Sequence, residues 1–521
     1  MAKTLEEISD GAKIIGDGKV QITGIEHDSR KITAGNLFVC MEGAHVDGHN
    51  FINQAVANGA VAILTTHENI QPPKGISALV VRDMLTALAE IVPKFYDYPA
   101  KSMRVIGVTG TNGKTTTTYM IREILIRAGY KVGLIGTIQM MIGEEIFPVH
   151  NTTPNVIDLQ HTFDKMRAAG CDFVVMEVSS HALAENRIAG IDFNVAVFTN
   201  LTQDHLDYHK TMENYCATKA KLFALAKDAV VVNVDDAAGA VMLENAHCRK
   251  ITYSIEDESD LRAENVDVRA DGMSLVVSEK GIVNSDFSTD HSPLITNHLT
   301  THVTGIFNVY NVLAAVGTAR AINISNDTVK TALGAFKSVS GRFERVYANV
   351  PFTVIVDYAH TPDGVKNVIE TARQILGNRG KGIGKSDSPL TPSPSTLIPK
   401  LITVFGCGGD RDNTKRPIMG RLAAELSDIV IATSDNPRSE DPAQILREIE
   451  VGIKEKIGGK IYECIPDRRV AIFRAVEIAK AGDIILILGK GHENYQILKD
   501  KTIHFDDKEV AHEAIGGLIN G

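Results

Sequence analysis

The segment GTNGKTT, Gly110 to Thr116, combines small flexible residues with a lysine and hydroxyls, a set suited to holding nucleotide phosphates. Gly110 and Gly113 let backbone N–H groups approach an anion, Lys114 supplies a point charge at the β- and γ-phosphates, and the Thr115 hydroxyl suits Mg²⁺. Thr111, Asn112 and Thr116 complete the loop, which is shorter than G-x-x-x-x-G-K-[ST] because Val108 stands five positions before Gly113. Downstream, MEVSSHAL (176–183) carries Glu177, and TNLTQDHLDYH (199–209) packs Asp204, His205, Asp207 and His209 into six residues. YCATKAKLF (215–223) then sets Lys219 and Lys221 on a helical pattern. Carboxylates and imidazoles close to bound phosphates are what one or two Mg²⁺ ions require.

These groups need a scaffold that brings them together. MRVIGVT (103–109) is a β-rich run before the loop, and TTTTYMIREILIRAG after it has apolar residues at helical spacing. Strand, loop and helix in that order place the loop at a helix N-terminus. DFVVMEV (172–178), FNVAVFT (193–199) and AVVVNV (229–234) read as buried strands of a parallel sheet covered on both faces, a central α/β domain. Glu177 and the Asp204–His209 cluster then stand at the carboxyl ends of strands, the edge where such sheets bind ligands. Residues 254–302 are rich in turn formers and alternating residues, and predict small strands without a fixed place in the sheet.

A second alternating series, FTVIVDY (352–358), LITVFG (401–406), DIVIATS (428–434) and DIILILG (483–489), predicts another doubly wound, Rossmann-like domain. Its interruption at 376–400 has twelve Gly, Ser or Pro in 25 positions and reads as a surface insertion. Residues 1–100 carry shorter mixed α/β signals and end at a linker, Tyr98-Pro99. The expected fold is α/β with three domains, near 1–100, 101–340 and 341–521.

A length of 521 residues agrees with that number at roughly 150 residues per domain. The net charge of −10 gives no basic footprint for nucleic acid, so the expected polyanion is small and held in a local pocket. Six cysteines without a CxxC pair suggest neither a disulfide framework nor a zinc cluster. The N-terminus lacks an apolar signal region and no run approaches a membrane span, so the expected location is the cytoplasm.

GTNGKTT, EVSSH, NLTQDHLDYH, Y-x-x-x-K-x-x-LF (215–223), GIFNVYN (305–311), GRFE (341–344) and DYAHTPD (357–363) together resemble the ordered motifs of the Mur ligases, ATP-dependent amide-bond synthetases of peptidoglycan precursor assembly. HDSR (27–30) with the following GNLFVCMEGAHVDGH, NTTP (151–154), and DNPR (435–438) with GKGHE (489–493) resemble the tripeptide-forming members. The resemblance implies that ATP phosphorylates a carboxylate of UDP-N-acetylmuramoyl-L-alanyl-D-glutamate and that an incoming amino acid attacks the acyl phosphate. Phosphorylation activates a poor electrophile, so the protein's work is positioning and cationic stabilisation.

Residue by residue, the resemblance implies that Gly110 to Thr116 hold ATP, with Lys114, Glu177, His205 and Lys219 as the catalytic group. Thr115 and Glu177 would ligate one Mg²⁺, and His205 and Lys219 the second, the lysine as a carbamate. Carbamylation turns a cation that repels Mg²⁺ into an anionic oxygen donor. Asn308, Arg342, Asp357 and His360 would complete the nucleotide site. The UDP-muramoyl dipeptide would meet His27, Ser29, Ala44, His45 and Val46 at its uridine end, and Asn151, Thr152, Thr153, Ser179, Glu185 and Arg187 near sugar and peptide. At Glu185 the family usually has Gln, so this chain adds a negative charge.

Arg411, Asp435, Asn436, Pro437, Arg438, Gly489 and Glu493 match the family's amino-acid site. An Arg fork such as that of Arg438 pairs bidentately with the distal carboxylate of meso-diaminopimelate and repels the distal ammonium of lysine, while Glu493 could hold the distal ammonium of the diamino acid. The expectation is a monomer acting on small molecules, without nucleic acid or a membrane span. Competing readings are a lysine-adding relative, a folylpolyglutamate synthetase-like ligase, and a P-loop ATPase or nucleotide sensor. The HDSR and DNPR segments oppose the second, and the second α/β domain is unexplained by the third.

Overall fold

In the computed structural model, which describes residues 2–9, 11–43, 46–149, 151–269, 272–280, 295–346, 348–378 and 398–520, the β-branched run before the glycine loop forms the strand Arg104–Thr109. Val105, Ile106 and Val108 in it are fully buried, as expected for a strand covered on both faces. Phe173–Glu177 pairs with it on one side and Phe193–Phe198 on the other, both parallel. Val132–Ile135, Ala226–Asn233, Arg249–Ser254 and Leu261–Arg269 extend the parallel part outward. Helices Lys114–Arg127 and Ile306–Ala321 close one face, and Val156–Ala168 and Met212–Ala224 the other.

The described residues of the 254–302 segment have a definite place, and 270–271 and 281–294 lie outside them. Leu261–Arg269, Gly272–Glu279 and Ile295–Thr301 form an antiparallel meander that finishes the eleven-stranded central sheet. At the opposite edge Met140–Ile142 and Glu145–Phe147 add a hairpin.

Thr353–Asp357, Ile484–Leu488, Leu401–Phe405, Ile429–Ala432 and Ile461–Cys464 make the parallel part of a second sheet, with Glu344–Val346 antiparallel at its edge. A third, five-stranded sheet lies in the first hundred residues, ordered Lys13–Ile15, Ser77–Val80, Ala62–Thr65, Asn36–Val39 and Gly24–Glu26. Its core takes in Val156 and Ile157 from the central region, which seats the two against each other. The three sheets, each with its own core, make the architecture α/β as expected.

At the expected linker, Tyr98 has a left-handed φ of 47° and leads into a short 3₁₀ turn, Pro99–Ser102. Of the expected insertion, 376–378 end the helix Pro362–Asn378, and 379–397 lie outside the described residues. All six cysteines are free, and no described helix is long and apolar enough to cross a membrane.

Candidate active site

The carboxyl ends of Arg104–Thr109, Phe173–Glu177 and Phe193–Phe198 converge because these strands are neighbours in the sheet. The loop from Gly110 leaves the first of them tightly wound. Gly110 has φ 150°, and a Cβ there would come 1.9 Å from Thr199 Oγ1; Gly113 has φ 85°, and its Cβ would meet Asn311 Oδ1 at 2.4 Å. Only glycine fits either position. Lys114 opens the helix and its Nζ donates to the Gly110 and Thr111 carbonyls at 2.9 and 2.7 Å. Burial lowers its pKa, opposed by Glu177 and reinforced by Arg342.

Glu177 is fully buried at its strand end. Its Oε2 accepts from Thr115 Oγ1 and Thr137 Oγ1, both at 3.1 Å, and its Oε1 from the Thr137 N–H at 2.9 Å. A carboxylate and a hydroxyl held this close at a phosphate loop are hard oxygen donors of the kind Mg²⁺ selects. His205 has φ 55°, and burial pushes its pKa to about 4 against the opposing Asp204 charge, so the ring is a neutral donor at pH 7. Asp204 feels burial upward, but His205 and then Lys415 outweigh it and hold the carboxyl at about 2.

Lys219 faces inward from its helix, 1% exposed, rather than toward solvent. Its Nζ donates to Gly110 O at 2.9 Å and lies 4.5 Å from the Tyr215 ring centre. Burial first, then the Lys114 charge, drives its pKa well below the ordinary lysine value. As an ammonium this group does not fit beside a metal; as a carbamate it does.

The C-terminal sheet meets this edge directly. Arg342 Nη2 donates to Thr115 Oγ1 at 3.0 Å, Asn112 Nδ2 to Asp363 Oδ2 at 2.8 Å, and Lys415 Nζ lies 3.8 Å from Asp204 Oδ1. Asn112, Gly113, Thr115, Asn308, Arg342, Asp357 and His360 line one cleft between the two sheets. Asn308 is fixed by bonds to Thr304 O and from Asn311 Nδ2, each 2.8 Å. Asp357 accepts the Phe343 and Ala359 N–H groups at 2.6 and 2.7 Å, and burial raises its pKa against the pull of Arg342. Burial, then Lys415, pushes His360 to about 4.

A second cavity of about 670 Å³ adjoins the first. Asn151, Thr152 and His205 line one side, and Arg411, Asp435, Asn436, Arg438, Gly489 and Glu493 the other. Gly489 has φ 118°, and a Cβ there would strike Asp435 Oδ2 at 2.4 Å. Arg438, itself at φ 53°, donates through Nη1 to Gly409 O at 2.8 Å. Asn436 Nδ2 donates to Glu493 Oε2 at 2.8 Å. Burial and the Asp435 charge raise the Glu493 pKa, with Lys490 opposing. Pro437 is buried in the backbone turn between Asn436 and Arg438.

The residues expected around the UDP substrate divide. Thr153 Oγ1 donates to Glu177 O at 2.8 Å and accepts the Ser179 N–H at 3.0 Å, while Arg187 Nη1 reaches Thr153 O at 3.0 Å, so these four residues form one unit at the end of the strand Phe173–Glu177. Glu185 Oε2 pairs with Arg187 Nη2 at 2.7 Å, which neutralises the extra charge noted in the sequence. His27 and Ser29 stand apart, just beyond the edge strand Gly24–Glu26 of the third sheet; Ser29 Oγ donates to Gln54 Oε1 at 2.9 Å. Val46 is exposed, and Ala44 and His45 lie outside the described residues.

Several residues that the sequence does not single out stand in these cavities or, for Lys490, directly behind their wall. Thr137 holds Glu177, Asn311 braces Asn308 and accepts from Thr117 Oγ1, Lys415 faces Asp204, and Lys490 backs Glu493. Asn311 and Lys490 stood inside the quoted GIFNVYN and GKGHE segments; Thr137 and Lys415 had no such signal.

Family models match in three blocks: "Mur ligase family, catalytic domain" over 21–96, "Mur ligase middle domain" over 108–319, and "Mur ligase, glutamate ligase domain" over 341–383 and 393–491. The UDP-N-acetylmuramoyl-L-alanyl-D-glutamate--2,6-diaminopimelate ligase of Bacillus velezensis is 45% identical over 504 residues, covering 95% of this chain and 94% of that protein. A solved structure of an enzyme of the same name is 30% identical, covers all of both chains and superposes with a TM-score of 0.64. The MurF ligase of Thermotoga maritima in complex with ADP, 17% identical over 95% of this chain and 98% of its own with a TM-score of 0.62, shares the fold. On these matches the chain belongs to the Mur ligase family.

Proposed function

We propose that the protein joins meso-diaminopimelate to UDP-N-acetylmuramoyl-L-alanyl-D-glutamate at the expense of ATP. One observation carries this reading: the cleft at the phosphate loop opens beside a cavity whose far wall holds Arg438 and Glu493, an anion receptor and a cation receptor on one surface. A ligand with a carboxylate and an ammonium at its distal end matches that wall, whereas lysine offers only the ammonium.

In the mechanism, Gly110 to Thr116 hold the ATP phosphates and Lys114 turns from its loop carbonyls to the transferring group. Thr115 and Glu177 would hold one Mg²⁺, and His205 with carbamylated Lys219 a second. Bound there, the ions supply charge neutralisation on the phosphoryl oxygens. Asn151, Thr152 and Arg187 orient the dipeptide so that its carboxylate oxygen attacks the γ-phosphorus, giving an acyl phosphate and ADP. Asp435, Asn436, Arg438 and Glu493 present the amino acid to that carbonyl. The amine attacks, the tetrahedral intermediate expels inorganic phosphate, and an amide remains once the nitrogen loses its proton. Residues 1–100 would hold the uridine end, 101–340 ATP, and 341–521 the amino acid. The protein would work as a cytoplasmic monomer, where both nucleotide substrates are available.

Phosphate release with ATP, Mg²⁺ and the UDP-dipeptide tests the reading across an amino-acid panel. Release is expected only with an amino acid present, and at least about 100-fold faster with meso-diaminopimelate than with L-lysine. Equal rates with lysine would overturn the specificity, and release without any amino acid would favour a plain ATPase.

A further inference from the structure

Glu42, His49 and His67 set three donor atoms within 4.8 Å of one another, yet they do not converge on an ion. The two imidazoles stack at 3.7 Å with planes 4° apart, so their lone pairs run side by side, and both ring nitrogens of His49 already bond, to Asp47 and Thr65.

The wall of the amino-acid cavity carries more. The Lys490 side chain is wholly inaccessible, and its Nζ lies 3.2 Å from Glu493 Oε2 and 3.1 Å from Asn436 Oδ1. Glu493 lines the cavity and Lys490 does not, so the lysine stands behind the carboxylate, out of reach of a ligand. The Asn436 amide closes the group, its Nδ2 on Glu493 and its Oδ1 taking both Lys490 and the Ile497 N–H.

We infer that Lys490 is a positioning residue for amino-acid selection: it keeps Glu493 ionised and aimed into the cavity, so that Glu493 accepts the distal ammonium of a diamino acid. The inference rests on the ligase reading above. The groups facing Glu493 explain why a cation is needed behind it. Asp435 on one side is a like charge, Tyr358 and Tyr495 add no positive charge, and Arg438 and Arg468 belong to other partners, Gly409 O and Asp507. Burial beside Asp435 favours the protonated acid, and a protonated carboxyl presents an O–H where the ammonium should bind.

The test uses full-length variants and the phosphate-release assay. K490M is expected to raise the KM for meso-diaminopimelate by about 100-fold while the KM values for ATP and UDP-dipeptide stay put. Its amino-acid KM should also become pH-dependent, falling as pH rises and Glu493 regains its charge; K490R should restore most of the wild-type value. The double variant K490M/E493Q, which buries no lone charge, should be no worse than E493Q alone. Equal rises in all three KM values, an unchanged pH profile, or multiplicative losses in the double variant would overturn the inference. The wild-type rate with meso-diaminopimelate tests the ligase reading by itself, and the ratio of variant to wild type tests Lys490.

Discussion

Lys219 and Lys490 are both withdrawn from water, and their neighbours give them opposite characters. Lys219 meets a backbone carbonyl, an aromatic ring and a second lysine, whereas Lys490 meets a carboxylate and an amide oxygen. An ammonium buried without an adjacent anion is driven toward the neutral amine, which is the nucleophilic form that can capture CO₂ as a carbamate. Lys490 has a carboxylate as its ion-pair partner and serves as support. Burial alone therefore does not mark a lysine as chemical; the sign of what it touches decides.

Removing Lys219 should produce the largest loss. Lys219→Ala is expected to cut phosphate release by about 10³-fold, the scale for losing a group that stabilises transferring charge. A short carboxylate such as formate should restore part of the rate by standing in for the carbamate, and Lys219→Arg, which cannot be carbamylated, should be as inactive as the alanine variant. Substantial activity in Lys219→Ala would move this residue to the supporting class of Lys490 and break the contrast.

Arg438→Ala should cost less, about 100-fold in kcat/KM for meso-diaminopimelate, because it removes one charge-assisted contact while Glu493 remains. Arg438→Lys should fall between, keeping the charge and losing the fork. Nucleotide affinity by calorimetry should be unchanged in both. An equal loss of ATP affinity would show that the two cavities are not separable, although Arg438 makes its bond within its own sheet, to Gly409 O.

How these regions could be read from sequence differs for the same physical reason. The phosphate loop is contiguous, and its glycines, lysine and hydroxyls announce their task through spacing, so Gly110 to Thr116 and the flanking strand and helix were legible. The proposed amino-acid wall is assembled from the loops after three strands, Leu401–Phe405, Ile429–Ala432 and Ile484–Leu488, and only fragments of it, Arg411, Asp435 to Arg438 and Gly489 with Glu493, stand out in the sequence. Lys490 sat between two chosen residues and was passed over, because a lysine's depth is set by the packing of Asn436 and Glu493 around it. The antiparallel meander at 261–301 was equally opaque. Leu261–Arg269 mixes buried and exposed side chains, and the largely buried Gly272–Glu279 is interrupted by Ser274, Ser278 and Glu279, so neither has the continuous apolar run that marks the parallel strands.

His492 offers the mildest test of the same rule, since it is a basic group near Lys490 whose Nδ1 has no partner among the described residues. Burial, and then the charges of Arg342, His360, Lys508 and Lys490, push its pKa down to about 3. In the unfolded chain the ring takes a proton near its ordinary value of about 6.5. Below that pH the unfolded state binds a proton that the folded state refuses, so the contribution to stability is complete above about 6.5 and is lost as pH falls toward 3. His492→Gln removes the titration and should flatten the fall of Tm between pH 6.5 and 4, by about 2–4 °C at the acid end. Identical slopes in the two proteins would mean that water reaching the ring offsets the surrounding cations. A flatter slope would place His492 with Lys219 as a base kept neutral by its surroundings.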